Sequence, residues 1–324
     1  MFSGLNWNRE QVSASLTKIL TIRNSLLAIV GLLVILLVFD GAMTALDALK
    51  NQRVASLQVD VGENVDQITT AKLALAVERG ATGTALAFES VPDRRFREMI
   101  TEERARFDQA YGIFSQNIED LPDYEGKGAL LSAMQDAYSA YMAVRPSADA
   151  ALGQIAQSRE SRIDRTVGTA ITDLIERLRD VRLSISYSFP PSEASVQASG
   201  QLKYQLWRMQ EYASRDWATI GESMASGQPL SSLMLQIVTG YTGQVEAAWQ
   251  DIQSLVDSSL VSNTLEARLD DVRDAFFDQF AMDRDEVYAA AELGEPVPFT
   301  ALLWIEKATN AVAPVQALAQ EAGK

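Results

Sequence analysis

The sequence predicts an all-α protein: an N-terminal transmembrane helix followed by two antiparallel four-helix bundles. Three observations carry this. A charge-free run, NSLLAIVGLLVILLVF, occupies Asn24 to Phe39, and nothing comparable recurs. Beyond it, apolar residues return at three- and four-residue spacing, with no sustained two-residue alternation bounded by hairpin signals. Only nine prolines occur, and most stand between helical runs.

The first element is the span. The apolar run continues past Asp40 into Gly-Ala-Met-Thr-Ala-Leu. That supplies the about 20 residues, at about 1.5 Å rise each, that a bilayer requires. Asp40 then sits near one membrane face, where an acid costs far less than at the centre. Residues 24–46 are read as the transmembrane helix and residues 1–23 as a cytoplasmic segment. Arg9, Lys18 and Arg23, with Glu10 among them, precede the run, and flanking Lys and Arg are retained in the cytoplasm. Lys50 and Arg53 follow it, but they share their side with Asp40, Asp47, Asp60, Glu63 and Asp66. The expected location is the inner (cytoplasmic) membrane, single-pass, with the bulk periplasmic. The competing reading is a cleaved signal peptide cut near the small residues of 42–48.

The helices after the span are delimited by turn residues. Breaks are expected at Val91-Pro92-Asp93, at Leu121-Pro122-Asp123 with Gly126 and Gly128, and at Arg145-Pro146. Phe189-Pro190-Pro191 is the strongest and divides the chain near its middle. Gly227-Gln228-Pro229 and Gly294-Glu295-Pro296-Val297-Pro298 are the last two. Roughly four helices fall on each side of Pro190, which places bundles at 47–190 and 191–324. Narrow apolar stripes support this packing. Leu131, Met134, Tyr138 and Tyr141 make one; Ile163, Val167, Ala170, Leu174, Leu178 and Val181 make another. Leu269, Val272, Phe276 and Phe280 make a third, opposite Asp271, Asp274 and Asp278.

Composition excludes several functions. With 28 basic and 43 acidic residues the net charge is −15, which is unlike the basic footprint of a nucleic-acid binder. There is no cysteine, so neither disulfides nor thiolate metal sites exist. There is no histidine, which removes the commonest general base and the usual zinc ligand. The chain is read as a non-enzyme, without catalytic residues, cofactor or metal. Asp270-Asp271-Val272-Arg273-Asp274 matches a magnesium-binding motif of prenyl-transfer enzymes, but on so acidic a chain it reads as a solvated face. The stretch Arg159–Arg165 reads as a surface run, and Trp207, Trp217, Trp249 and Trp304 as core or interface anchors.

Arginines on apolar seams are the candidate ligand-binding residues. Arg79 shares one face with Val65, Ile68, Leu75, Thr82 and Leu86. Arg145 extends the Leu131–Tyr141 stripe by four residues. An unpaired buried guanidinium is very costly, so each must meet an anion or reach water. A guanidinium fork suits carboxylate-like or nitrate-like oxygens. The alternative is internal pairing, with Glu78, Glu89 and Asp149 as partners, or snorkelling to solvent. Arg215 shares its face with Arg208, Glu211 and Glu222, the pattern of an ion-paired surface. Arg79-Gly80-Ala81-Thr82 and Arg215-Asp216-Trp217-Ala218-Thr219 sit at corresponding places in the two halves, as distant repeats would.

These same residues carry a resemblance. Ala76-Val77-Glu78-Arg79-Gly80-Ala81-Thr82-Gly83 resembles the first signature of the nitrate- and nitrite-sensing (NIT) domain family. Ala143-Val144-Arg145-Pro146-Ser147-Ala148-Asp149-Ala150-Ala151-Leu152 is similar to its second, and Glu211-Tyr212-Ala213-Ser214-Arg215-Asp216-Trp217-Ala218 to its third. Leu303-Trp304-Ile305-Glu306-Lys307-Ala308-Thr309 resembles its last helix. The resemblance implies a double four-helix-bundle sensor of small anions outside the inner membrane, with Arg79, Arg145 and Arg215 holding the ligand. It departs at Trp217, where the family pattern has a second arginine, so nitrate is one candidate among small anions.

The expected function is a membrane-anchored extracytoplasmic sensor domain, binding a nitrate-like, nitrite-like or small carboxylate anion for transmembrane signalling or chemotaxis. A homodimer is expected, with a signalling partner protein. A receptor of this kind carries a second span and an output module after its last helix. The sequence ends at Lys324 with neither, which suits a truncated receptor or an anchored module that signals through a partner. The alternative function is an envelope helical-bundle scaffold or protein-binding module without a small-molecule ligand.

Overall fold

The computed structural model describes residues 22–191, 193–257, 264–293, 295 and 297–322. The N-terminal segment with Arg9, Glu10 and Lys18 lies outside the described residues, as do Gly294 and Pro296. Eight helices and no strand occur among the described residues, so the protein is all-α.

Helix α1 spans Ile22–Ala87, and the division between two compact units, after Leu57, falls inside it. In the first unit the side chains from Leu26 to Phe39 are exposed, including Leu32, Leu33, Ile35, Leu37 and Phe39. A helix apolar all round and covered by nothing suits lipid rather than water. It is the helix among the described residues that is long and apolar enough to cross a membrane.

The second unit begins at Gln58. Within it α1 is followed by α2 (Arg94–Asn117), α3 (Lys127–Leu152) and α4 (Ile163–Ser188). Then come α5 (Ala194–Ser226), α6 (Ser232–Asp257), α7 and α8 (Ala301–Glu321). Helix α7 runs in three pieces: Thr264–Val272, π-helical turns over Arg273–Phe280, and Ala281–Leu293. Neighbours run antiparallel. Phe88 meets Phe96 while Glu78 meets Arg104; Tyr212 meets Tyr241 while Arg208 meets Gln244; Asp283 meets Lys307 while Arg268 meets Glu321. The first set of four packs around Phe107, Tyr111, Phe114 and Tyr141, the second around Phe276, Phe280 and Trp304.

The two sets are joined by α1 and α5, which lie side by side in the same direction. Lys203 Nζ is 2.5 Å from Asp66, and Lys72 Nζ sits 3.6 Å above the Trp207 ring. Further along, Arg79 meets Glu211, and Gly83 faces Glu222. The two repeat-like segments are therefore neighbours across one seam.

Prolines 92, 122, 190, 191 and 229 stand between helices as expected. Pro146 does not: α3 continues through it to Leu152. Pro146 is exposed, so water can satisfy the carbonyl one turn back that its missing N–H leaves free. The break comes instead at Gly153, and the chain re-enters helix after Arg162, which has φ 64°. Arg159 is more than surface. Its guanidinium donates to the carbonyls of Leu86 (2.6 Å), Phe88 (2.8 Å) and Ser90 (3.1 Å) at the end of α1. It also donates to those of Ala151 (3.1 Å) and Gln154 (2.9 Å) at the end of α3. Carbonyls that have no partner within their helices are satisfied this way.

Candidate functional site

Beside the α1–α5 seam lies an open cleft of about 690 Å³, walled by α1, α4, α5 and α6. Arg79 and Arg215 both line it. Their meeting follows from the parallel register, which sets the late turns of α1 against those of α5. Glu211, one helical turn before Arg215, is the residue between them.

Glu211 Oε1 accepts from Arg79 Nη2 at 3.0 Å and from Arg215 Nε at 2.7 Å. Arg79 also donates to Ser214 at 3.4 Å and to Thr172 of α4 at 3.3 Å. Side-chain exposure grades outward: 5% for Glu211, 14% for Arg79 and 34% for Arg215. Glu211 Oε2 is buried with no hydrogen bond. Arg215 gives its Nε edge to Glu211, and Tyr241 of α6 interacts with the same guanidinium in the cleft wall. Two guanidiniums thus face one carboxylate, and Asp164, Arg165, Asp173, Glu176 and Glu222 also line the cleft.

Arg145 is not brought to this cleft. It makes a bidentate pair with Asp108 at 2.9 and 3.0 Å and donates to Tyr141 Oη at 2.8 Å. Tyr141 in turn donates to the fully buried Glu78, which Arg104 holds at 2.7 Å while reaching Asp149 at 2.5 Å. Burial pushes the Glu78 carboxyl up, and Arg104 and Tyr141 oppose it. This chain of groups ties α1, α2 and α3 together. Arg145 is thus paired internally, although not by the Glu78, Glu89 or Asp149 that its sequence neighbourhood offered.

The cleft also holds residues that the sequence displayed only as surface charges. Glu222, two turns beyond Arg215, lies in its wall, and Asp164 opens α4 beside it. Glu222 and Asp164 are both exposed at the cleft, where Asp164 repels the Glu222 carboxylate and Arg79 attracts it. Gly83 makes the space: a Cβ there would come 2.4 Å from Glu222 Oε1. The pairing of a glycine on α1 with a glutamate on α5 depends on helix register, which no local pattern displays. Among the described residues no group of three or more Asp or Glu is placed to hold a metal ion. The chain matches no protein-family model, no curated protein and no solved structure.

Proposed function

We propose that the protein is a membrane-anchored extracytoplasmic sensor that takes a small anion into the Arg79–Arg215 cleft. The ligand class is nitrate-like, nitrite-like or a small carboxylate. The observation that carries this reading is two arginines from parallel helices sharing one oxygen of Glu211 at the wall of an open cleft. The resemblance of the Arg79 and Arg215 segments to NIT-domain signatures supports it. In this reading Arg79 and Arg215 hold the ligand, while Arg145 braces the first bundle through Asp108 and Tyr141. The span lies in the inner membrane, the bulk is periplasmic, and a homodimer passes the signal to a partner protein or output module, as in chemotaxis.

An incoming anion meets guanidiniums already bonded to Glu211, so it must share them or displace that carboxylate. Either outcome changes how α1 and α5 are held along their seam. A ligand shifts a conformational equilibrium only by such differential contacts. Titrating nitrate, nitrite, acetate and propionate into the full chain in detergent, with calorimetry and thermal midpoints as readouts, tests the proposal. Heat of binding that Arg215→Ala abolishes is the expected result; silence for every anion would sink it.

A second reading is favoured by one fact: both arginines already have a carboxylate partner. There the protein is an envelope scaffold or protein-binding module without a small ligand. It requires Arg79→Ala to lower stability and to leave every titration flat.

A further inference from the structure

Lys72 is a buried cation on the same face of α1 as Arg79, seven residues before it. Its ammonium lies 3.6 Å from the centre of the Trp207 ring, with no hydrogen bond or ion pair among the described residues. Arg182 of α4 is also buried, has no hydrogen bond at Nε, and lies 4.8 Å from the centre of the Tyr204 ring. The Tyr204 and Trp207 rings are 5.8 Å apart, so two cations and two aromatic rings form one cluster between α1, α4 and α5. The charges of Arg182 and Arg179 oppose that of Lys72, and the charge of Glu211 favours it.

Glu211 is poised over this cluster. It stands one helical turn after Trp207 on the same face of α5, and a helical side chain covers the turn before its own Cα. Its two oxygens differ. Oε1 accepts from both Arg79 and Arg215, whereas Oε2 is buried with no hydrogen bond. Arg79 and Lys72 are about 10 Å apart along the axis of α1, and Glu211 is bonded to the first and acted on by the second. An anion that takes the guanidiniums releases this carboxylate. With its side chain only 5% exposed, Glu211 would then be a buried charge without a cation, which is very costly.

We infer that Lys72, backed by Arg182, is the second seat of Glu211: an anion that occupies Arg79 and Arg215 hands the Glu211 carboxylate to the Lys72 ammonium. This rests on the anion-binding reading and deepens it, by making Lys72 a positioning residue for that site. The exchange balances charge. The ligand replaces Glu211 on the guanidiniums, and Glu211 pairs with a cation that had no partner. It also relocates the tie between α1 and α5 from Arg79 toward Lys72, nearer to Gln58.

The test is a double-mutant cycle read by calorimetry, titrating acetate and nitrate into the full chain in detergent. Lys72→Met should weaken binding by roughly tenfold or more, the scale of one charge-assisted hydrogen bond. The same substitution made on Glu211→Gln should change affinity by less than about twofold, because no carboxylate is then handed over. Lys72→Gln is the second variant and should behave alike, and thermal midpoints without ligand report that each variant is folded. Affinity unmoved by either Lys72 substitution would overturn the inference and leave the anion reading standing. An equal loss with and without the Glu211 carboxylate would also overturn it, because the lysine would then act without its exchange partner. No heat from either anion, in the original chain and in Glu211→Gln alike, would remove both readings.

Discussion

Gly80 lies so close to Trp217 that a Cβ on it would come within 2.3 Å of the indole Cη2. Trp217 has no exposed surface, its ring lies against α1, and its backbone carbonyl accepts from Trp304 Nε1 of α8 at 2.9 Å. That ring sets how near α1 and α5 approach.

Gly80→Ala should therefore destabilise the protein by about 1–3 kcal/mol, the usual cost of overpacking a core. Helix propensity works the other way by about 1 kcal/mol and is outweighed. Gly62, on the same helix, has nothing within 4 Å of an added Cβ, so Gly62→Ala should raise stability slightly. Thermal midpoints of the two variants should move in opposite directions.

Glu211→Gln should strengthen binding of acetate or nitrate. The carboxylate competes with any anion for Arg79 and Arg215, and the uncharged amide oxygen competes more weakly. We expect roughly tenfold, equivalent to about 1.4 kcal/mol, by calorimetry. An unchanged affinity would mean that the anion does not touch these guanidiniums.

Asp216 gives stability an inverted pH dependence. Burial pushes its carboxyl from 3.8 up to about 6, although Arg284 and the Tyr288 hydroxyl, 2.8 Å away, oppose the shift. Between those values the folded state holds a proton that the unfolded chain has released. The contribution of Asp216 is therefore complete below about pH 4 and is lost as pH rises through about 6. Asp216→Asn should flatten this fall and raise stability at neutral pH by on the order of 1–3 kcal/mol. Midpoints measured from pH 4 to pH 8 decide it.

Lys72 behaves similarly at the alkaline end. Its ammonium is fully buried, lies over the Trp207 face, and has no hydrogen bond among the described residues. Burial, then the Arg182 charge, holds its pKa well below the ordinary lysine value of 10.5. Here the unfolded chain binds the extra proton, so this residue makes stability rise with pH until 10.5 is reached. Lys72→Met should remove that rise and add about 1–2 kcal/mol at neutral pH, since desolvating an unpaired polar group costs more than a cation–π contact returns. A less stable methionine variant would mean that Lys72 has a partner that water or ligand supplies.

The helical class was legible because period and breaks are local: Pro92, Pro122, Pro190 and Pro229 interrupt the chain where helices stop. Pro146 misled because an exposed helix face tolerates a lost N–H, and the true stop near Gly153 has no proline to mark it. Arg79 was legible as a charge on an apolar face. Its partner Glu211 was visible only as one of several surface-like charges. Asp108 as the partner of Arg145, and Gly83 as the seat of Glu222, are products of packing between helices distant in sequence.

Arg159 clamps five carbonyls at the ends of α1 and α3 with one side chain. Sliding α1 along its own axis would make three of those bonds let go together. Tilting it about that clamp need break none. A guest lodged near Arg79 thus works close to a pivot, and whatever swing it imparts grows with distance from that hinge, toward Gln58.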